Sequence, residues 1–330
     1  LKQLAYTLIL AAVFFTTGCA NKIYLSLGLE QDSSLKYKLI SDRQVTLNIT
    51  GGEKLEKPQS CTEKLEMVVR LTPVDIDEFG LVTMQAECET MNVSRKSFTG
   101  RVETKDPLNV LAGKSWQYKI NPAGEIEDFR GLEQAAKIAG TAAIKESGVR
   151  RIKDPDMILD FIALQWSLWD AVSSANKTGI GVTPGQSWDS LQMVPFSVAI
   201  PAERIVHYSI DSNKQPADGS YVVIDSEYDL STYILDPKDG KLKFVPAFEN
   251  RPKPYDGSFQ TRGMFGFLRN YKPLELSGTG TTKYDSRNGV LLSETQQYQM
   301  KMEAGFMMAL GDSVPMLDVR QTISAELINE

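Results

Sequence analysis

The sequence predicts an α+β fold that is mainly antiparallel β. Curved sheets, forming a half-barrel or a sandwich, are expected to carry a central helical segment packed on them. Three observations predict this. Apolar and polar residues alternate over many short stretches on both sides of the centre, the period of half-buried strands. Glycine-containing turns punctuate those stretches, with Asn288-Gly289 the strongest hairpin signal. Only the middle of the chain changes to helical spacing. Five segments result: a leader over 1–18, a tether over 19–34, a first β unit over 35–130, a helical segment over 131–178 and a second β unit over 179–330.

The leader begins with Lys2 and continues as an apolar run from Leu4 to Phe15. That run is shorter than the roughly 20 residues needed to span a bilayer, and fits the apolar core of an export signal. The chain begins at Leu1 rather than Met, and a longer positive segment ahead of it is expected. Thr16-Thr17-Gly18-Cys19 follows directly and resembles the lipobox of bacterial lipoproteins, with Thr16 where Leu is usual. The resemblance implies cleavage before Cys19, acylation of that residue with palmitate-type chains, and a membrane-anchored envelope protein. Ala20, rather than Asp, follows the cysteine, which by the same resemblance implies the outer membrane. The alternative is an ordinary secretory signal with Cys19 incidental.

In the first β unit Tyr37, Leu39, Val45, Leu47 and Ile49 alternate with polar neighbours, and Gly51-Gly52 ends the stretch. Leu65, Met67, Val69 and Leu71 form one arm of a hairpin and the residues from Leu81 the other, with turn chemistry from Asp75 to Gly80. Further strands are expected over 93–102, over 116–120 and at Ile126. Cys61 and Cys88 lie near these strands, in a compartment that permits a bridge. A Cys61–Cys88 disulfide is one reading; two thiols, one buried and one exposed, is the other.

In the helical segment Leu132, Ala135, Ala139 and Ala143 recur at helical spacing, and Gly148 suits a C-terminal stop. Asp154 and Pro155 suit the N-cap and first position of a second helix. Its Met157, Phe161, Leu164, Leu168 and Val172 form an apolar stripe widened by Ile158, Ile162, Trp166 and Trp169, so burial on more than one side is expected. The second β unit offers strands over 189–198, 205–210, 221–235, 278–284, 290–302 and 322–327. Gly113-Lys114-Ser115-Trp116 and Gly185-Gln186-Ser187-Trp188 echo each other, a suggestion of duplication. Thr183 through Trp188, together with Gly280, Tyr284-Asp285, Gly289, Leu291 and Ser293, resembles an envelope family known only as domain of unknown function 6263. That resemblance implies a β-rich exported protein and assigns no site.

The chemistry is sparse. With 36 basic and 42 acidic residues the net charge is −6, which argues against a nucleic-acid partner. His207 is the single histidine and has no nucleophile in its neighbourhood, so a hydrogen-bonded strand histidine is expected, with neither a catalytic base nor a zinc ligand. Asp225, Glu227 and Asp229 share one strand face and read as a solvated outer face before a calcium or acid–base site. Gly278 and Gly280 lack the strand-to-helix context of a phosphate loop. Phe161, Trp166 and Trp169 with Met300 and Met302 form a candidate apolar pocket between helix and sheet, beside the reading of an ordinary core. No cofactor and no metal are expected. The functional expectation is a lipid-anchored envelope protein of binding or structural type, with membrane and an unidentified protein or apolar ligand as partners. A carrier of a lipid-like ligand and a hydrolase using Asp225 and Glu227 are the alternatives.

Overall fold

A computed structural model describes residues 22–50, 58–96, 100, 102–103, 106–146, 156–176, 181–193, 203–230, 234–235, 242–243, 269–306 and 314–328. Cys19, the leader, Asp154-Pro155 and Gly148 lie outside these residues. The first half supplies β1 (Leu35–Thr50), β2 (Gln59–Ile76), β3 (Val82–Lys96), β4 (Val102–Glu103), β5 (Ser115–Ile120) and β6 (Ile126–Asp128). Helices α1 (Arg130–Glu146) and α2 (Asp156–Asn176) follow. The second half supplies β7 (Ser187–Met193), β8 (Glu203–Ser209), β9 (Val222–Leu230), β10 (Ile234–Leu235), β11 (Leu242–Lys243), β12 (Arg269–Asp285), β13 (Val290–Phe306) and β14 (Val314–Leu327).

The fold is α+β, a large curved antiparallel sheet with two helices packed on it. Its strand order is β6-β5-β3-β2-β1-β14-β13-β12-β9-β8-β7, with β4 on β3; β10 and β11 pair separately. Each half is a meander, and the two meanders are joined where β1 pairs with β14. The strands before and after the helices, β6 and β7, are therefore the two opposite edges of the sheet. The helical connection must cross from one edge to the other, which lays it over one face. That face, called the inner face below, carries the buried positions: odd residues on β1, β2 and β14, even residues on β8, β9, β12 and β13.

Several strands run longer than their alternation suggests. β12 starts nine residues before Gly278, at Arg269, and passes Pro273 with a register shift between Pro273 and Glu275. A proline donates no ladder hydrogen bond and reads as a strand end, but a bulge accommodates it. Strand β3 is continuous over what reads as two strands.

Cys61 and Cys88 are not joined, which corrects the bridge reading. Cys88 lies opposite Val69 on β2, eight residues from Cys61 on that strand (61 to 69), or roughly 26 Å at about 3.3 Å per residue. A disulfide needs Cα atoms within about 7 Å. Both side chains are buried, and burial pushes the Cys88 thiol up to about 12. The segment read as a tether packs against the body over 22–29: Leu25 is buried, and Ile23 exchanges backbone hydrogen bonds with Val182 at 2.7 and 2.9 Å.

Candidate functional site

Helix α2 is buried at every position from Asp160 to Ala175 except Ala163 and Trp166, so it lies in a trough of the sheet. Ordinary helix-on-sheet packing would set an apolar floor beneath it. The ladder sets a polar row there instead. Reading across paired strands, Glu63 on β2 faces Arg43 on β1, Arg43 faces Gln321 on β14, and Gln321 faces Tyr298 on β13. Tyr298 faces Gly278, which faces Tyr228 on β9. A neighbouring row carries Ser41, Gln296, Gly280 and Ser226. All the polar members of these rows are buried.

Their hydrogen bonds form a chain that ends on the helix. Tyr298 donates to Gln321 Oε1 at 2.6 Å, Gln321 Nε2 donates to Ser41 Oγ at 2.9 Å, and Ser41 donates to Asp160 Oδ2 at 2.7 Å. Gln321 Nε2 also reaches Asp160 Oδ2 at 3.2 Å. Arg43, with no exposed surface, donates Nη1 to Asp160 Oδ1 at 3.0 Å, and Nε and Nη2 to Glu63 Oε2 at 3.0 and 2.6 Å. Burial works to raise both carboxyls, with opposite net results. For Glu63 the adjacent Arg43 and Arg95 outweigh burial and hold it below the usual range; for Asp160 burial outweighs Arg43 and Ser41 and the pKa is raised.

A second cluster lies further along the trough. The Arg204 guanidinium sits 4.3 Å from the Tyr228 ring centroid and 5.7 Å from that of Tyr298, with Nη2 donating to Gln296 Oε1 at 2.8 Å. The absence of a side chain at Gly278 and Gly280 makes this close stacking feasible. A Cβ on Gly278 would lie 2.5 Å from Tyr298 Cβ, and one on Gly280 would lie 2.3 Å from the Tyr228 hydroxyl. Gln296 donates to Glu294, whose carboxyl is pushed up to about 8 by burial above all.

Apolar rows flank the polar ones. Val45, Val319, Met300 and Leu276 form one, with Leu47, Leu317 and Met302 beyond it; Leu39, Met67 and Ala325 lie on the other side. The predicted pocket residues are core side chains. Phe161, Met300 and Met302 have no exposed surface. Phe161 meets Trp116 edge-on at 5.2 Å, Trp166 packs on Phe129 at 6.0 Å, and Trp169 is buried in the same core.

The outer face carries the remaining candidates. His207 is partly exposed, with Nδ1 at 2.7 Å from Asp189 and Nε2 at 3.4 Å from Asp229; the Asp189 hydrogen bond leads in raising its pKa. Asp225 pairs with Lys214 at 2.8 Å, while Glu227 and Asp229 are exposed. Among the described residues no group of three or more His, Cys, Asp or Glu could hold a metal ion, and no helix is long and apolar enough to cross a membrane. A cleft of roughly 560 Å³ opens where α1 crosses β5, lined by residues including Lys114, Trp116, Lys119, Arg130 and Ile138. Its Arg130 is already paired with Asp128 at 2.5 Å.

Sequence reasoning missed the polar rows. The signal was present: Tyr37, Leu39, Val45 and Leu47 keep one phase through Ser41 and Arg43, so both point inward. Leu317, Val319, Ile323 and Ala325 do the same for Gln321.

No family model matches the chain, and no curated protein matches it in sequence. Among solved structures, a chain described as "lipid-protein interactions in lipovitellin" superposes with a TM-score of 0.38 at 8% identity, over 91% of this chain and 25% of that one. This chain thus spans a quarter of the length of that lipovitellin chain, and a superposition so weak transfers neither fold nor ligand.

Proposed function

We propose that this chain is a non-catalytic binding protein of the bacterial envelope, held at the outer membrane by acyl chains on Cys19, that takes its ligand in the trough now filled by α2. The apolar leader and the Gly18-Cys19 step support the tether. One observation carries the binding reading: the buried polar rows beneath α2. Desolvation offsets most of the attraction in a buried ion pair, so Arg43 and Asp160 fasten the helix no better than apolar side chains of similar size would. Charged and amide groups fixed on rigid strands are, however, what recognition of a polar group requires. The apolar rows through Val319 and Met300 favour a second reading, a carrier of a lipid-like ligand in the same trough. Asp225 and Glu227, on the outer face of β9, give the hydrolase reading no such support.

The test is mass spectrometry of the chain expressed with its leader and purified from membranes. The expected product begins at an acylated Cys19 and carries a noncovalent adduct under native conditions. An uncut or unacylated residue 19 would overturn the tether. A bare chain whose α2 amides exchange at the same rate with and without envelope lipid extract would overturn the binding reading.

A further inference from the structure

The hydrogen-bond geometry at the start of α2 carries the binding reading further, to a ligand class, and this inference rests on that reading. We propose that Ser41, Arg43 and Gln321 form a preformed cradle for a single negative charge, that Asp160 fills it while the trough is closed, and that a monoanionic amphiphile displaces Asp160.

Three donors converge on this one carboxylate, at 2.7 Å from Ser41, 3.0 Å from Arg43 and 3.2 Å from Gln321. All three stand on the sheet, where the ladder fixes their spacing: Ser41 and Arg43 alternate on β1, and Gln321 is paired opposite Arg43 on β14. The acceptor alone comes from the helix, so the cradle survives if the helix leaves. The seam beneath the helix is incompletely satisfied. Gln165 Oε1 on α2 and Glu294 Oε2 on β13 are buried with no hydrogen-bond partner among the described residues, whereas permanent interiors pair nearly all such atoms.

The charge around the cradle sets the valence of the ligand. Arg43 and Arg95 are balanced by Glu63 and Asp106, with Arg95 at 3.9 Å from Glu63 and 3.0 Å from Asp106. Two cations and two carboxylates sum to zero. Asp160 is therefore the one carboxyl in excess; a monoanion replaces it without changing the net charge, and a dianion would leave a second charge buried and uncompensated. Helix α2 itself has the form of the expected ligand, because Asp160 is followed by buried Phe161, Leu164, Leu168 and Val172. A fatty-acid carboxylate or a phospholipid phosphodiester supplies the same head charge, and a chain laid along Val45, Val319 and Met300 would replace the apolar side chains of the helix.

Binding is measured on the full chain with four probes: oleate below its aggregation concentration, phosphatidylglycerol vesicles, phosphatidylcholine vesicles and dodecyl maltoside. Hydrogen exchange of α2 is read in parallel. Oleate or phosphatidylglycerol is expected to bind and to speed α2 exchange; which of the two does so separates a free acid from a phospholipid. Ser41→Ala should weaken that binding roughly tenfold, the loss of one hydrogen bond to a charged group. Asp160→Asn, which removes the competing carboxyl, should strengthen it by about the same factor. If Asp160→Asn does not fold by circular dichroism, Ser41→Ala decides alone. Unchanged affinity in the folded variants would overturn the cradle. Dodecyl maltoside binding as tightly as oleate, with the same α2 response, would overturn the cradle and leave the trough as a binding site. If no amphiphile alters α2 exchange in the unmodified chain, the trough reading falls as well.

Discussion

Glu294 shows how much the inner face depends on single protonation states. Burial drives its carboxyl up to about 8, and the nearby Asp170 adds to the shift, against the opposing Gln296 hydrogen bond and Arg204. The folded-state pKa is thus above the unfolded one. The folded chain holds a proton that the unfolded chain releases, so the stability from the neutral acid is full below the unfolded pKa, near pH 4.5, and is lost as pH rises through 8. Glu294→Gln keeps the shape and cannot ionise. Its stability advantage over the parent chain should be small at pH 5 and grow to a few kcal/mol by pH 9, as read from urea midpoints at the two values. Parallel losses in both proteins between pH 5 and 9 would mean that Glu294 does not titrate in this window. The same residue type explains why such sites escape notice. A glutamate or arginine inside an alternating strand reads as a strand end or an outward position, and only the phase of its neighbours reveals that it points inward.

At the scale of elements, α1 presses on β5 through Gly131, where an added Cβ would lie 2.2 Å from the Gln117 carbonyl oxygen and 2.8 Å from its nitrogen. Gly131→Ala should gain roughly 0.5–1 kcal/mol of helix propensity. Backbone atoms cannot yield as a flexible side chain can, so the helix must lift from the strand, and the contact wins. A net loss of about 2 kcal/mol is expected, seen as a lowered thermal midpoint; an unchanged or raised midpoint would show that α1 does not rest on β5. Elements of this kind were legible in the sequence where a local period exists. The arm from Leu65 to Leu71 was read from spacing, the Asn288-Gly289 turn from its residue types, and both helices from spacing together with cap and stop residues. The Gly-x-Ser-Trp echo also has a physical counterpart: Gly113 and Gly185 both take positive φ (73° and 86°), and each opens a strand that buries its Trp. Strand lengths were not legible, because Pro273 and the bulge beside it interrupt the period without ending β12. Nor was the strand order, since the pairing of β1 with β14 joins opposite ends of the chain and leaves no local mark.

For the whole molecule, acylation of Cys19 as proposed would let the N-terminal segment decide which end of the trough faces a membrane. Leu25 O accepts from Asn176 Nδ2 at the end of α2 at 2.9 Å, and the same amide donates to Ala123 O in the turn between β5 and β6 at 3.1 Å. Gly28 N donates to Gly289 O in the β12–β13 turn at 3.0 Å. The segment thus gathers two turns and the last turn of α2 at one end. From Cys19 to Ile23 is four residues, at most about 14 Å of chain, so acyl chains on Cys19 would hold that end against the bilayer. Strand β2 sets the opposite reference. A Cβ on Gly80, beyond its Ile76 end, would lie 3.0 Å from Pro122, whereas Gln59 is seventeen residues away along the strand (59 to 76), up to about 55 Å. A fluorophore on Pro122→Cys should be quenched by spin-labelled lipid in the acylated protein, and one on Gln59→Cys should not. Buried Cys61 and Cys88 leave the introduced thiol as the reactive one in each case. Quenching only at Gln59→Cys would place the trough the other way round, and equal quenching at both positions would show that the N-terminal segment does not orient it.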